Sequence, residues 1–219
     1  MTGLEPLHEL RLRTPRLDLR LGSHEELLAL GSLAKSGIHP PEEMPFAVAW
    51  TDRTDEPAFV DDVASFHEER HSSWEPSNWS LSFLVWEDEA LTGTQELSAT
   101  RFAERRTVRT GSWLGRAFQA RGIGTEMRAA VLELAFRGLG ALRAESGWLA
   151  GNDASRRVSE KLGYVETAVD TMAPRGVQTA HHWVAVERAA WHCPVPVEIT
   201  GLEPCLPLFG VSAPARERP

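Results

Sequence analysis

Cysteine is scarce in this chain: its 219 residues hold only two, Cys193 and Cys205. Two cysteines make neither a disulfide framework nor a zinc cluster. No grouping of His, Cys and Asp has metal-ligand spacing, so no metal is expected. Tyrosine is scarcer still, with Tyr164 alone. No apolar run approaches the ~20 residues that span a bilayer. The N-terminus lacks a basic patch followed by an apolar run, so no secretory leader and no membrane partner are expected. These absences suit a reduced, cytoplasmic location. Internal repeats and low-complexity tracts are missing. Basic residues are in deficit: 23 Lys and Arg against 31 Asp and Glu leave a net charge of −8. That is the wrong sign for a general nucleic-acid binder, which has to meet phosphates.

The charge is unevenly spread. Between residues 40 and 89 lie Glu42, Glu43, Asp52, Asp55, Glu56, Asp61, Asp62 and further acids, opposed by only Arg53 and Arg70. Arg101, Arg105, Arg106, Arg109, Arg116, Arg121 and Arg128 fall close together later in the chain. An anionic ligand at one end and a cationic amine at the other fit this split. Solvated helix faces account for the acids as well.

Periodicity and breakers organise the rest. Leu10, Leu12, Leu17, Leu19 and Leu21 alternate around Thr14-Pro15, as one kinked strand or two short ones. Ser23 caps a helix to about Lys35, with Glu26 at the capping-box position. Residues 38–55 form a Pro-rich loop carrying Met44, Phe46, Val48 and Trp50. A second helix opens at Glu56-Pro57 and runs to about His71. Three antiparallel strands follow at 80–86, 91–100 and 107–118. Then come a helix at 122–137, a strand at 142–149, a short helix at 153–162, and strands near 164–173 and 178–187. Residues 195–199 offer a further strand, 206–209 an apolar anchor, and 213–219 read as disordered. The expected organisation is one domain over 1–190 with a C-terminal extension over 191–219.

The most telling stretch is Gln119-Ala120-Arg121-Gly122-Ile123-Gly124-Thr125, between a strand pattern and a helix with Ile123, Met127, Ala130, Val131 and Leu134 on one face. Such a turn aims several helix-start N–H groups at one point, where the helix dipole adds partial positive charge, and this favours a phosphate. The two glycines let the chain bend and let a ligand approach the backbone. Two common nucleotide loops are excluded. No Lys-Ser/Thr follows Gly124, as a Walker loop requires. Gln-x-x-Gly-x-Gly is not Gly-x-Gly-x-x-Gly, and no acidic ribose partner follows at the expected distance. A second stretch, from Asn152 through Ser155 to Glu160-Lys161-Leu162-Gly163-Tyr164, is a short capped helix ended by a glycine.

Together the two stretches resemble the acyl-CoA site of the GNAT N-acetyltransferase superfamily, in the form used by its ribosomal-protein alanine acetyltransferase (RimJ/RimL-like) branch. Leu12-Arg13-Thr14-Pro15-Arg16-Leu17 resembles the first strand of that branch, and the likeness runs from about residue 10 to about residue 190. It implies an α+β fold, with a mixed central β-sheet, mostly antiparallel, splayed after the fourth strand and flanked by helices. It implies acetyl-CoA or another acyl-CoA as co-substrate. The acetyl group would pass to a primary amine (a protein N-terminus, an amino sugar or another small amine) by direct attack in a ternary complex. Backbone N–H groups of Gln119, Ala120, Arg121, Gly122, Ile123, Gly124 and Thr125 would grip the pyrophosphate. Trp113, Leu114 and Gly115 would align the pantetheine arm, and one of their N–H groups would polarise the thioester carbonyl.

Asn152 reads as a helix N-cap, as a pantetheine ligand, or as both. Ser155 would hand a proton to the leaving thiolate, or bond its own helix start. Many relatives place a tyrosine four residues later, where this chain has Ser159 on the same helix face. Glu96, sharing a strand face with Thr94 and Ser98, is the candidate base if desolvation raises its pKa; a solvent-facing role fits the same pattern. His39, Phe46 and Trp50 are candidate acceptor contacts, with Phe46, Trp50 and Met44 forming a wall or lid. Of His181 and His182, alternation lets only one face the cleft. Most of the eight tryptophans are expected in the core. Two alternatives remain open. One is a larger or acidic donor such as succinyl-CoA, read by a basic residue for which Arg101 and Arg116 are candidates. The other is a CoA-binding sensor or interaction module without catalysis. A homodimer is expected by analogy.

Overall fold

The structure is a computed structural model and describes residues 3–211; the stretch 213–219 lies outside the described residues. The leucine alternation at the start produces a hairpin. β1 (Arg11–Arg13) folds back on β2 (Leu17–Arg20), pairing Leu12 with Leu19. Thr14 closes the corner, its hydroxyl oxygen accepting the Leu17 N–H at 2.9 Å. The capping box forms at the start of α1 (His24–Lys35): Ser23 Oγ accepts the Glu26 N–H, and the Glu26 carboxylate accepts the Ser23 N–H. α1 lies against α2 (Phe59–Ser72). Gly31 permits the approach, since a Cβ there would stand 2.7 Å from the Val60 carbonyl oxygen.

β3 (Asn78–Glu87) and β4 (Ala90–Thr100) make a long hairpin, and one helical turn, α3 (Phe102–Arg105), leads into β5 (Thr107–Leu114). β5 stops short of the predicted 118. The Gln119 side chain donates to the Leu114 carbonyl at 2.8 Å, and residues 116–118 wind into a 3-10 turn. α4 (Ile123–Glu133) runs on into a wider π-type turn at Leu134–Gly138. β6 (Arg143–Leu149), α5 (Asp153–Lys161), β7 (Val165–Met172), β8 (Thr179–Glu187) and β9 (Glu198–Thr200) follow.

Among the described residues nine strands form one sheet in the order β7-β8-β6-β5-β4-β3-β2-β1-β9. Every neighbouring pair is antiparallel except β5–β6. This is the expected α+β architecture, and with the β1–β2 hairpin counted as one strand the parallel junction follows the fourth. Alternation sorts the two faces. Leu81, Phe83 and Leu97 face α4 and join Ile123, Met127 and Val131 in the main core. Leu84 points the other way, to Leu27 and Leu30 of α1 and Ala64 of α2.

Residues after 190 complete the main core. β9 pairs with β1, and Cys205, Leu206, Leu208 and Phe209 are buried. Phe209 meets Trp74 and Trp79 edge-on at 5.3 and 4.9 Å, and Trp74 Nε1 donates to the Leu208 carbonyl at 2.9 Å. Both cysteines carry free thiols, and burial pushes the Cys205 thiol up to about 11. Fewer tryptophans are enclosed than expected: Trp74 and Trp79 are buried, and the others are half-buried along the edges of the packing. Among the described residues no helix is long and apolar enough to cross a membrane.

One half-buried imidazole with an enclosed nitrogen makes the fold acid-sensitive. His67 of α2 has an Nδ1 buried without a hydrogen-bond partner. Burial, reinforced by the Arg70 guanidinium, pushes it from 6.5 down to about 4. Burial likewise lowers His71, with His8 nearby adding to it. A group that resists protonation only when folded makes unfolding take up a proton. Stability is therefore lost as pH falls from the unfolded value toward the folded one. For His67 the loss approaches ~3 kcal/mol at about 1.36 kcal/mol per unit. We expect Tm to fall between pH 7 and pH 4.5, and to fall less in His67→Leu. An equal fall in both proteins would exclude His67 as the source.

Candidate active site

β5 and β6 share three rungs: Thr107–Arg143, Val108–Ala144 and Arg109–Glu145. Both strands run on, but apart. The last links are made by side chains: Ser146 Oγ donates to the Thr110 carbonyl at 3.2 Å, and Thr110 Oγ1 to the Glu145 carbonyl at 3.4 Å. Beyond them a slot opens between the amide edges of residues 111–114 and 147–149. β5 is drawn away on its other side. Trp113 packs on Trp50 at 5.9 Å, and the Gly115 N–H reaches the Thr92 carbonyl at 2.9 Å. Unpaired strand edges along a slot offer hydrogen bonds to an extended ligand.

The open end of the slot meets the Gly-rich turn. Ala120 and Gly122 take left-handed φ angles of 59° and 85°, a reversal that glycine makes without strain. The first helical bonds of α4 run from the Thr125 and Glu126 N–H groups to the Gly122 carbonyl, at 3.1 Å each. The N–H groups of residues 121–124 therefore stand ahead of the helical ladder, at the positive end of the dipole. Ile123 is buried in the core and offers only its backbone, while Thr125 is half-buried. Gly124 leaves space, because a Cβ there would meet Val158 and Leu114 only at ordinary contact, 3.5 and 3.8 Å.

A carboxylate in this turn would repel an anion, and Glu126 is such a carboxylate. It is neutralised from β1–β2: Arg16 Nε and Nη2 donate to it at 2.9 and 2.6 Å, and Thr14 Oγ1 at 2.6 Å. Glu126 in turn holds the Arg16 guanidinium above its ordinary range. The Arg121 side chain is committed to Glu87 at 2.6 Å. Gln119 donates its amide to the Ile38 and Leu114 carbonyls at 2.7 and 2.8 Å, and its N–H to Arg116 at 3.3 Å. Gln119 thus braces the turn, which corrects the phosphate-gripping role read from the motif. The arginines that cluster in sequence do not cluster in space. Arg101, Arg105, Arg106 and Arg109 sit at the far end of β5, about 20 Å from the turn at ~3.3 Å per residue.

α5 lies beside the slot. Asn152 Oδ1 caps it by accepting the Ser155 N–H at 3.0 Å, and Nδ2 reaches the Pro45 carbonyl at 3.4 Å. The two serines differ. Ser159 is buried, donates to the Ser155 carbonyl at 3.1 Å and accepts from Arg128 Nη1 at 3.1 Å, so its proton is spent. Ser155 Oγ makes no such bond among the described residues, so the two are not interchangeable. Arg128 was not expected here. It is 4% exposed, its Nη2 donates to Ser112 Oγ at 3.1 Å, and its Nε has no partner. Hydroxyls alone surround its head, and burial lowers its pKa. The sequence groups it with the arginines matched to an anionic ligand; its place on the apolar side of α4, one residue after Met127, was the available signal of burial.

The other face of the sheet carries the acceptor candidates. Phe46 packs on Trp50 at 5.3 Å, and Trp50 stacks on Phe59 at 6.0 Å, so these rings form a wall that continues to Trp113. His39 is a rivet: Nδ1 bonds the Pro40 carbonyl and Nε2 the Thr51 hydroxyl, both at 2.8 Å. With both nitrogens engaged it is not free to meet an acceptor. Across the site, Arg175 at the β7–β8 turn clamps the loop through Asp52 at 2.8 Å and the Pro41 carbonyl at 2.9 Å. Glu96 shares its face with Thr94 and Ser98 as expected, but accepts from Arg70 Nη2 at 2.7 Å. That ion pair replaces the desolvated lone carboxylate that a base at this position required. A cavity of about 390 Å³ lies beside it, lined by Arg70, Ser80, Ser98, Arg109 and Glu145 among others. Among the described residues no grouping of side chains could hold a metal ion.

Comparison with known proteins agrees with this geometry. The family model for the acetyltransferase (GNAT) domain matches residues 34–165. Among solved structures, the RimL ribosomal L7/L12 alpha-N-protein acetyltransferase in complex with coenzyme A is 15% identical, with 80% of this chain and 95% of that chain covered at a TM-score of 0.65. Mycobacterium smegmatis RimJ in complex with CoA-disulfide is 17% identical over 92% of this chain and 95% of that one, with a TM-score of 0.64. The yncA protein of Salmonella typhimurium, solved with its cofactor acetyl-CoA, is 18% identical over 82% and 98%, with a TM-score of 0.58.

Arg16 offers a test of the turn. Arg16→Ala should lower stability by about 1–3 kcal/mol, the cost of stripping charged hydrogen bonds from a buried carboxylate. It should also weaken CoA binding, because Glu126 would then face the phosphates unneutralised. Adding Glu126→Gln should restore CoA affinity in calorimetry. Unchanged affinity in Arg16→Ala would remove Glu126 from the anion site.

Proposed function

The chain belongs to the acetyltransferase (GNAT) domain family, and on that premise we propose that it moves an acetyl group from acetyl-CoA to a primary amine by direct attack in a ternary complex. One observation carries the reading: a slot with unpaired strand edges runs into a helix start whose N–H groups 121–124 stand ahead of the ladder. An extended arm with an anionic head fits that pair of features. The Gly115 N–H is taken by the Thr92 carbonyl, which removes it from the expected pantetheine contacts. By alternation the N–H groups of Ser112 and Leu114 point away from β4, and these would hold the pantetheine amides and polarise the thioester carbonyl. The Ser155 hydroxyl, with its proton uncommitted, would protonate the departing thiolate. The aromatic wall of Phe46 and Trp50 would bound the acceptor, and the exposed Glu42 and Glu43 on the same loop favour a cationic one. Exposed Val165 and Val169 on the edge strand β7 support a homodimer, which light scattering would decide.

A second donor is favoured by one observation. Arg128 is a buried guanidinium with hydroxyl neighbours and no carboxylate. A donor ending in a carboxylate, such as succinyl-CoA, would supply the missing charge. Arg101 does not serve this purpose, since it lies at the far end of β5 beside Glu104 at 3.7 Å. Arg116 has its backbone on the Gly37 carbonyl in the turn after β5. The non-catalytic alternative finds support only in the spent hydroxyl of Ser159; the free hydroxyl of Ser155 speaks for turnover.

Thermal unfolding with CoA, acetyl-CoA and succinyl-CoA should show a stabilisation of about 2.7 kcal/mol at ~100 times Kd. No shift with any of them would end the acyl-CoA reading. Against a panel of N-terminal peptides, amino sugars and small amines, Ser155→Ala should lower kcat by about 10²-fold without changing the Kd for the donor. An unaffected kcat would assign the proton donor elsewhere. Arg128→Leu should keep the fold, because a well-packed apolar residue replaces a buried charge at little cost. It should lose succinyl-CoA affinity selectively if the acidic donor is the natural one. Equal effects on both donors would discard that reading.

A further inference from the structure

The amine must lose a proton to something. Glu96 is held by Arg70, and both nitrogens of His39 are engaged. On the same face of the sheet as Glu96, β8 carries His181, which is 7% exposed and sits opposite Leu149 of β6. Its ring lies across β6 toward the slot. A Cβ built on Gly147 would come within 2.6 Å of His181 Nε2 and 2.8 Å of Cε1. Gly147 belongs to the stretch of β6 that borders the slot, and only a residue without a side chain lets the imidazole lie there.

The other side of the ring is held. His181 Nδ1 faces Asp170 Oδ1 of β7 at 3.3 Å. The carboxylate is itself fixed, since Trp183 Nε1 donates to Asp170 Oδ2 at 2.9 Å, and the Trp183 ring meets His181 edge-on at 4.4 Å. A carboxylate at Nδ1 keeps the proton on that nitrogen and leaves the Nε2 lone pair free. His182 faces the opposite side, with Glu166 at 2.7 Å and the Trp148 ring stacked at 5.6 Å.

We propose that His181 is the general base of the acyl transfer and that Asp170 is its positioning residue. The proposal rests on the acyltransferase reading above. The amine nitrogen attacks the thioester carbonyl carbon, a C–N bond forms, and the carbonyl π pair moves to oxygen. The proton leaves nitrogen for His181 Nε2. When the carbonyl re-forms, the C–S bond breaks with its pair on sulfur, which takes the Ser155 proton. Solvent then receives the proton from His181 and returns one to Ser155. The charged groups facing His181 are Asp170 from β7, Glu145 from β6 and Arg109 from β5. Arg109 pairs with Glu145 at 3.4 Å and lies over the Trp183 ring at 5.3 Å. Glu96 of β4, beyond them, is neutralised by Arg70.

The test compares wild type, His181→Gln and Asp170→Asn, using acetyl-CoA and the best amine of the panel. His181→Gln should lower kcat/KM by about 10²–10⁴-fold, abolish the acid limb of its pH profile, and leave the calorimetric Kd for acetyl-CoA unchanged. Asp170→Asn should displace that acid limb. It should also shift the His181 tautomer away from Nδ1–H in ¹⁵N NMR of the ligand-free protein, a change that lost packing alone would not produce. A His181→Gln enzyme with wild-type rate and acid limb would overturn the base while leaving the acyltransferase reading intact. A wild type that binds no acetyl-CoA, or binds it and acetylates no amine, would overturn both.

Discussion

Beyond the Arg109–Glu145 rung, the facing edges of β5 and β6 have no strand to bond, and backbone polar groups left unpaired are costly. A protein keeps such a gap only if other contacts hold it open and something fills it. Here the Trp113–Trp50 packing and the Gln119 bridge to Leu114 and Ile38 pull one wall outward. β8 secures the other wall by pairing along the whole of β6. The consequences follow from that gap. The turn after β5 is aimed at its mouth, α5 lies beside it with Ser155, and the β7–β8 pair brings His181 over Gly147.

Charge is placed to suit an anion entering at the mouth. Glu126 is cancelled by Arg16 and Thr14, and Glu87 by Arg16 and Arg121. These acids are not there to attract the ligand; they fasten the turn to β2 and β3 and are neutralised in doing so. Arg128 is the reverse case, a cation enclosed with hydroxyls only. Buried charges without a counter-ion are rare because they are expensive. The arrangement makes sense if negative charge arrives there during the reaction or with the acyl group.

Sequence patterns disclosed what depends on neighbours along the chain. The capping box at Ser23, the turn at 119–125 and the Asn152 cap are local, and each forms where its spacing places it. The order of strands and helices was legible for the same reason. Contacts made across the sheet were not. Glu96 and Arg70 lie 26 residues apart in sequence, and alternation alone cannot say that one neutralises the other. His39 looked available because nothing in a Pro-rich loop reveals that Thr51 and Pro40 take both its nitrogens. The His181–Asp170 pair depends on the β7–β8 register, which contains a bulge between Glu166 and Ala168, and on a glycine in a third strand. The burial of Arg128 was not legible because a charged side chain on a helix is normally solvated; in sequence it only joins the arginines matched to an anionic ligand.

The proposed chemistry requires the acyl-CoA arm to lie in the slot and the turn. Amide hydrogen exchange reads this directly, since the N–H groups of Ser112 and Leu114, of residues 121–124, and of Gly147 and Leu149, which alternation turns away from β4 and β8, should be the ones that change. Saturating acetyl-CoA should slow exchange in those three stretches, while the β3–β4 hairpin, paired along its length apart from a bulge at Thr92, should be unaffected. Slowing spread evenly over the protein, or confined to other segments, would contradict the assignment.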